Sequence, residues 1–202
     1  RGSSDPVNFA LRGAVVNLND PEQFENCEEV FTWFSDSALR PLRFRSGIYG
    51  LPETQDFLML YYRTDICAEL GIDPETDLET WDDIKSILPI LQSHSMNFGM
   101  PVPVVGAAGG TLNLFATLLY QMGGELYVPD PDHEYDGIKT TLDQDAALDA
   151  FKLWTDFYTV YGVPNAYDFS NWFRSGEMPI GIAGYSQYNQ LSVFAPELEG
   201  FW

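Results

Sequence analysis

The sequence predicts a layered α/β fold, and the prediction depends on three segments. Phe57 to Tyr62 (FLMLYY) is apolar or aromatic throughout, as in strands of parallel sheets that helices cover on both faces. Met178 to Ala183 predicts a second buried strand, although Pro179 would ordinarily indicate an edge strand. Asp145 to Tyr161 places its apolar residues at the three- and four-residue spacing of an amphipathic helix. Buried strands combined with one-sided helices are typical of a sheet between helical layers.

The N-terminal part of the chain predicts short helices followed by a hairpin. Ser4 to Pro6 is an N-cap with proline in the first turn, and it predicts a helix that ends at Gly13. Asp20–Pro21 repeats this signal and predicts a second helix, with an apolar stripe from Phe24 to Phe34. Leu39 to Ile48 alternates basic and apolar residues, which predicts a half-exposed strand or hairpin. Its arginines leave an anion site open, but a solvated strand face is favoured.

Further helices are predicted by capping residues and apolar spacing. Thr80 is predicted to cap a helix from Trp81 to Leu91, which Pro89 should kink or end. Asp143 is predicted to cap the helix from Asp145. The remaining predicted helices are Leu112 to Met122, Ser170 to Arg174 and Gly184–Tyr185 to Phe194.

Composition excludes some classes of partner. The 30 acidic against 10 basic residues give a net charge of −20, which repels nucleic-acid phosphates and anionic lipid surfaces. We therefore expect no nucleic-acid partner. No run approaches the roughly 18 apolar residues of a membrane span, so no direct membrane insertion is expected. Cys27 and Cys67 are predicted to be unreactive core thiols rather than a disulfide.

Few residues suit catalysis. His94 and His133 lie near no cysteine or second histidine at metal-ligand spacing, which gives little support to zinc sites or Ser-His-Asp devices. The glycine-rich segment Gly106 to Gly110 lacks the lysine of a phosphate-binding loop. A pair of catalytic carboxylates, as in glycosidases, stays open because no pair is singled out among 30 acidic residues.

One acidic segment partly matches a calcium loop. Asp132, Glu134 and Asp136 alternate before Gly137, and Asp143 occupies the twelfth position. The incoming segment is not helical and the twelfth residue is not glutamate, so an acidic β-turn before a helix is favoured over a calcium site.

Five segments in order resemble a known family. They are YGLPETQDFLMLYYRTDICAELGI, TWDDI, TLLYQMGGELY, TTLDQDAALDAFKLWTDFYTVYG and FRSGEMPIGIAGYSQYNQLSVFAPELEGFW. In this order and spacing they resemble the middle of extracellular solute-binding proteins of carbohydrate ABC transporters. This group includes maltose-binding protein, and the similarity is greatest to the large, lipid-anchored members of Gram-positive bacteria.

The resemblance implies a periplasmic-binding-protein type II-like fold with two α/β lobes and a sugar in the cleft between them. Residues 1–50 would belong to the N-terminal lobe, 51–62 would form the crossing strand, and 63–202 would form the C-terminal lobe. The chain is then expected to be a fragment of a longer protein. The resemblance further implies no catalysis, no cofactor, a permease partner, and a location at the cell surface, lipid-anchored, or in the periplasm.

The resemblance also implies sugar-binding residues. Asp56, with Gln55 beside it, falls where a cleft carboxylate accepts sugar hydroxyls. Thr111 and Asn113 fall on a loop that supplies further contacts, although helix-capping and turn roles explain them too. The polar side chains of these four residues would bind the hydroxyl groups of the sugar.

The relatives' Gly-Pro-Trp, whose indole stacks on sugar, corresponds to Gly184-Tyr185-Ser186, so Tyr185 or Tyr188 is expected to stack instead. The alternative for Tyr185 is a core position beside Phe194. Two other functions stay open for the chain, a glycoside-processing enzyme and a non-catalytic interaction module.

Overall fold

The computed structural model describes residues 5–53, 56–101, 113–130 and 134–202. The chain divides into two units, the first ending at Asp56 and the second starting at Phe57. The division falls inside the segment 51–62 that was predicted to cross between lobes.

The first unit consists of short elements. They are α1 (Asp5–Leu11), α2 (Cys27–Phe31), α3 (Asp36–Leu39), a 3-10 turn (Arg40–Leu42), β1 (Arg43–Phe44) and β2 (Gly47–Ile48). The strands β1 and β2 pair antiparallel, which confirms the predicted hairpin. The helix predicted after Asp20 is present but is shorter than its apolar stripe. Turns precede α2, and although the stripe residues from Phe24 to Phe34 are partly buried, none is fully buried, which limits the packing that stabilises a short helix.

The second unit is built around a three-stranded sheet. Its strands, in spatial order, are β3 (Leu58–Tyr62), β7 (Ile180–Gly184) and β4 (Phe98–Gly99). Strand β3 pairs antiparallel with β7, with Leu58 opposite Gly184, and β4 pairs parallel with β7. The remaining elements are α4 (Thr64–Leu70), α5 (Trp81–Ser93), α6 (Asn113–Gln121), β5 (Tyr127–Asp130), β6 (Glu134–Thr140), α7 (Asp145–Thr159), α8 (Phe169–Ser175), α9 (Ser186–Phe194) and a 3-10 turn (Pro196–Leu198).

Strand β3 contacts hydrophobic side chains on both of its faces. Leu58, Leu60 and Tyr62 pack against a large cluster that includes residues of α5, α6 and α7. Met59 and Tyr61 belong to a smaller cluster on the opposite face, with residues of α8 and α9. The expectation that this run is covered on both faces is confirmed. The prediction that this strand belongs to a parallel sheet is wrong, because β3 runs antiparallel to β7.

Strand β7 begins two residues later than predicted, at Ile180. Pro179 therefore lies immediately before the strand, and its carbonyl accepts a hydrogen bond from the backbone N–H of Arg63 at 2.8 Å. Proline lacks an N–H group, but at this position none is needed for the ladder. The strand can thus lie between two neighbours in the described sheet despite the proline.

Helix α5 continues through Pro89 to Ser93, so of the two predicted effects of the proline, a kink or an end, the end is wrong and the kink stays a prediction. Pro89 is exposed, while Leu88 and Leu91 are buried in the large cluster. The buried face holds the helix together, and the carbonyl that loses its N–H partner can be hydrated instead. The assignment of Asp143 as the cap of α7 is also wrong, because Gln144 precedes the helix and Asp143 lies in a turn.

Thr80 begins α5 with a capping box. Its side chain accepts a hydrogen bond from the Asp83 N–H at 3.2 Å, and the Asp83 carboxylate accepts one from the Thr80 N–H at 2.8 Å. Thr80→Ala is expected to lower the free energy of unfolding by about 1 kcal/mol because an N-terminal N–H group loses its partner. Urea denaturation measures this. Thr159→Ala, at the exposed end of α7, is the control and should change stability by less than about 0.5 kcal/mol.

Candidate functional site

The predicted hydroxyl-binding residues are only partly covered by the structure. Gln55 and Thr111 lie outside the described residues. Asp56 is exposed and ends the first unit. Asn113 is exposed in the second unit, where it is the first residue of α6. Sugar contacts by these four residues stay a prediction.

Tyr185 and Tyr188 lie together on the surface. Their ring centroids are 5.7 Å apart and their planes differ by only 9°. The side chains are 36% and 44% exposed, respectively. Phe194, which was the proposed core neighbour of Tyr185, is itself 71% exposed. The core alternative for Tyr185 is therefore wrong.

Two further rings extend this pair into a row. Phe57 stacks on Tyr185 with centroids 5.1 Å apart and an interplanar angle of 13°. The ring of Trp202 meets Tyr188 edge-on at 5.4 Å. Phe57, Tyr185, Tyr188 and Trp202 are called the aromatic row below. Aromatic pairs favour these stacked and edge-to-face arrangements.

Sequence reasoning missed Phe57 and Trp202. Phe57 was assigned to the buried strand, but β3 starts one residue later and the Phe57 side chain is 50% exposed. The signal for Phe57 was its position directly after the polar Asp56. Trp202 had no local signal, because its place in the row depends on a contact with Tyr188.

The pairing of β3 with β7 brings Phe57 and Tyr185 together. The Tyr185 N–H donates to the Phe57 carbonyl at 2.8 Å, which extends the β3–β7 pairing by one step. The Tyr61 hydroxyl donates to the carbonyl of Gly184 at 3.1 Å, although 123 residues separate the two in sequence. Strand register therefore positions the first turn of α9 and the tyrosines that it carries.

The aromatic row can bind small molecules in two ways. Exposed rings stack on the C–H faces of sugars, while phenol groups such as those of Tyr185 and Tyr188 donate and accept hydrogen bonds. Aromatic faces also attract quaternary ammonium groups. A few polar groups beside apolar rings is the usual composition of a small-ligand site.

A separate pocket of about 430 Å³ lies beside β3, between the start of α5 and helix α6. Its lining is largely aliphatic, with Leu58, Leu60 and Ile182 from the sheet. The Trp81 indole N–H donates to the Gln121 side chain at 2.8 Å, so these two polar groups satisfy one another. The pocket is less suited to a polar ligand than the aromatic row is.

The calcium candidate is only partly covered. Asp132 lies outside the described residues, and the backbone from Glu134 through Asp136 is part of the extended strand β6, which pairs with β5. Asp143 lies in the turn before α7. Among the side chains that the structure describes, no group of three or more His, Cys, Asp or Glu could hold a metal ion. Calcium binding at this segment stays a prediction.

Neither cysteine forms a disulfide. Burial raises the pKa of the Cys67 thiol to about 11, so this thiol is protonated at neutral pH and is a poor nucleophile. Cys27 is partly exposed, which corrects its predicted core position. Within the described part of the chain, no helix has the length and apolar character needed to cross a membrane.

The fold is similar to solved solute-binding proteins. An ABC transporter solute-binding protein from Thermotoga lettingae, bound with alpha-D-tagatose, superposes with a TM-score of 0.78 at 21% identity, covering 98% of this chain and 50% of that one. Maltose-bound MalE3 of T. maritima gives 0.73 at 21% identity, covering 97% and 48%. UgpB from Mycobacterium tuberculosis, in complex with glycerophosphocholine, gives 0.71 at 19% identity, covering 92% and 44%.

These similarities confirm the predicted periplasmic-binding-protein type II-like fold. The chain spans about half the length of the solved structures that it matches. No curated protein sequence matches it. The family described as bacterial extracellular solute-binding protein matches residues 17–201, and the chain therefore belongs to that family.

Proposed function

We propose that the protein is the carbohydrate-binding component of an ABC transporter. The complete protein binds a sugar or oligosaccharide between its two lobes, without catalysis, and delivers it to a membrane permease. It works outside the cell membrane, lipid-anchored at the surface or in the periplasm. Residues 1–50 contribute to the N-terminal lobe, 51–62 cross between the lobes, and 63–202 contribute the C-terminal lobe.

The aromatic row is the observation that supports a sugar ligand. Phe57, Tyr185 and Tyr188 are exposed and Trp202 is partly buried, and the four rings are in mutual contact, so they are held in place before a ligand arrives. A preorganised apolar surface loses little entropy on binding, and it suits the C–H faces of a pyranose ring. Gln55, Asp56, Thr111 and Asn113 remain the proposed partners of the sugar hydroxyls.

A glycerophosphodiester is the second candidate, because an aromatic row also fits a choline group. UgpB, one of the similar structures, holds glycerophosphocholine. The phosphate of such a ligand calls for a cationic or N–H-rich partner. The first turn of α9, Ser186 to Gln190, contains no basic residue and offers a phosphate only neutral donors such as its backbone N–H groups, so a neutral sugar is favoured.

Tyr185→Ala in the complete protein is expected to weaken sugar binding by about 1–3 kcal/mol, because a stacked aromatic anchor is lost. Stability should change little, because the ring is 36% exposed. Isothermal titration calorimetry against mono- and oligosaccharides measures the affinity, and thermal melting measures the stability. Tyr120→Ala is the matched control, since Tyr120 is exposed on α6 and outside the row.

Three results would contradict this proposal. A strongly destabilised Tyr185→Ala variant with unchanged sugar affinity would show that the ring is structural. Binding of glycerophosphocholine but of no sugar would show that the ligand is a glycerophosphodiester, the second candidate. Cleavage of any bound glycoside would favour an enzyme instead, which needs two carboxyl groups about 5–10 Å apart across a cleft.

A further inference from the structure

We propose that Gln187 is a positioning residue for the aromatic row. Its side chain, hydrogen-bonded to Ser170, fastens the first turn of α9 to α8 and so fixes the stacked arrangement of Tyr185 and Tyr188. The effect on ligand affinity rests on the sugar-binding function proposed above. The effect on the rings themselves does not.

Gln187 is a buried polar residue between two exposed aromatic ones. The Gln187 residue is 9% exposed. Tyr185, two residues before it, is 36% exposed, and Tyr188, the residue after it, is 44% exposed. Burying an amide group is unfavourable unless it forms hydrogen bonds. The position would be filled more simply by an apolar residue if packing were its only role.

The amide of Gln187 is part of a three-residue network. Its Nε2 donates to the Ser170 hydroxyl at 2.6 Å, and that hydroxyl donates to Gln190 Oε1 at 2.9 Å. Gln187 Nε2 also lies 3.5 Å from Gln190 Oε1. Ser170 is on α8, so the network joins two helices through directional bonds. Hydrogen bonds connected in this way reinforce each other.

Gln187 is the buried side chain of α9 that lies nearest to the two tyrosines. The buried residues of this helix are Gln187 and Leu191, and Leu191 lies one turn further along. Tyr185, at the N-cap, has no side-chain capping hydrogen bond. Gln187 is thus the buried side chain of the turn that carries both rings. Loss of its bonds would remove the side-chain hydrogen bond that joins this turn to Ser170 of α8.

Helix α8 also supports the other end of the row. Phe169 and Phe173 make edge-on ring contacts with Tyr61, at 5.9 and 6.4 Å. Tyr61 in turn lies 6.2 Å from Trp202, the last ring of the row. Helix α8 thus supports Trp202 through Tyr61, and it supports Tyr185 and Tyr188 through Ser170. The bond from Gln187 to Ser170 therefore sets the distance between the Trp202 ring and the two tyrosine rings. A binding surface gains affinity when supporting side chains preorganise it.

The test uses Gln187→Met in the complete protein. Methionine keeps the length and helix propensity of glutamine but cannot donate the hydrogen bond. Acetylation of each tyrosine by N-acetylimidazole, followed by mass spectrometry, reports ring protection without any ligand. We expect acetylation of Tyr185 and Tyr188 to become about two- to tenfold faster and sugar affinity to fall by a similar factor, the range that one neutral hydrogen bond supplies.

Ser170→Ala removes the same bond from the other helix and should give the same two changes, and the double variant should add little to either single one. Gln92→Met is the matched control. It removes a comparable amide hydrogen bond, from Gln92 Nε2 to the Tyr161 carbonyl at 2.7 Å, and should leave Tyr185 and Tyr188 unaffected.

The outcomes separate this inference from the function on which it rests. A Gln187→Met variant with a lower melting temperature but unchanged acetylation of both tyrosines would overturn the positioning role. Additive effects of the two single variants would also overturn it. If the acetylation rates respond as expected but the unsubstituted protein binds no sugar, the positioning role stands and the proposed function fails.

Discussion

Phe173→Ala is expected to lower the free energy of unfolding by about 3–5 kcal/mol, the range for removing a buried phenylalanine side chain. Phe173 is fully buried on α8. It is in the smaller hydrophobic cluster with Tyr61 and Leu191, and its ring stacks on Phe169. Alanine would leave a cavity bounded by strand β3 and helix α9. Both elements are held by contacts with other elements, so they cannot easily move to fill the cavity.

Urea denaturation followed by far-ultraviolet circular dichroism measures this loss. Phe194→Ala is the matched control, because it removes the same ring from a position that is 71% exposed and should change stability by less than about 0.5 kcal/mol. Similar small losses in both variants would show that the smaller cluster is not a packed core.

Arg63→Met is expected to lower the free energy of unfolding by about 2–3 kcal/mol, because the buried guanidinium loses its ion pair with the partly exposed Asp65 and its hydrogen bonds to two carbonyls. The guanidinium donates to both carboxylate oxygens of Asp65, at 2.8 and 2.6 Å. Its Nη1 also donates to the carbonyls of Phe173 at 3.2 Å and Arg174 at 3.3 Å. These carbonyls belong to the last turn of α8, where the Phe173 carbonyl also accepts a hydrogen bond from the Gly176 N–H at 3.3 Å.

The control for Arg63 is Arg174→Met. Arg174 forms an ion pair with Glu197, but both side chains are about half exposed, so the loss should be below about 1 kcal/mol. Equal losses in the two variants would contradict a special role for the buried pair.

The stability lost in Arg63→Met should depend on pH in the acid range. The hydrogen bond from Arg63 holds the pKa of Asp65 below its ordinary value of 3.8. The folded state therefore prefers the charged carboxylate, and this stabilisation is full above the ordinary pKa and is lost as the pH falls through the lowered one. The stability difference between the unsubstituted protein and Arg63→Met should accordingly shrink below about pH 4. A difference that is independent of pH would contradict this account of the pair.

Local sequence patterns determined most of the second unit. The apolar stripe of α7, the capping box at Thr80 and the uniform run in β3 each depend on residues close in sequence, so they could be recognised without the fold. The same kind of pattern did not give the length of the helix after Asp20, where the apolar stripe is only partly buried and α2 covers Cys27–Phe31 alone. Periodicity indicates which face could be buried, whereas only tertiary packing decides whether anything covers it.

The sequence by itself determined the α/β class, the family resemblance, and Tyr185 and Tyr188 as candidate ligand-binding rings. Only the tertiary structure decided that Phe57 and Trp202 complete their row and that Gln187 is the buried anchor beneath it. The physical reason is strand pairing. Antiparallel register between β3 and β7 sets Phe57 against Tyr185, and no short-range pattern encodes the partner of a strand that lies more than a hundred residues away.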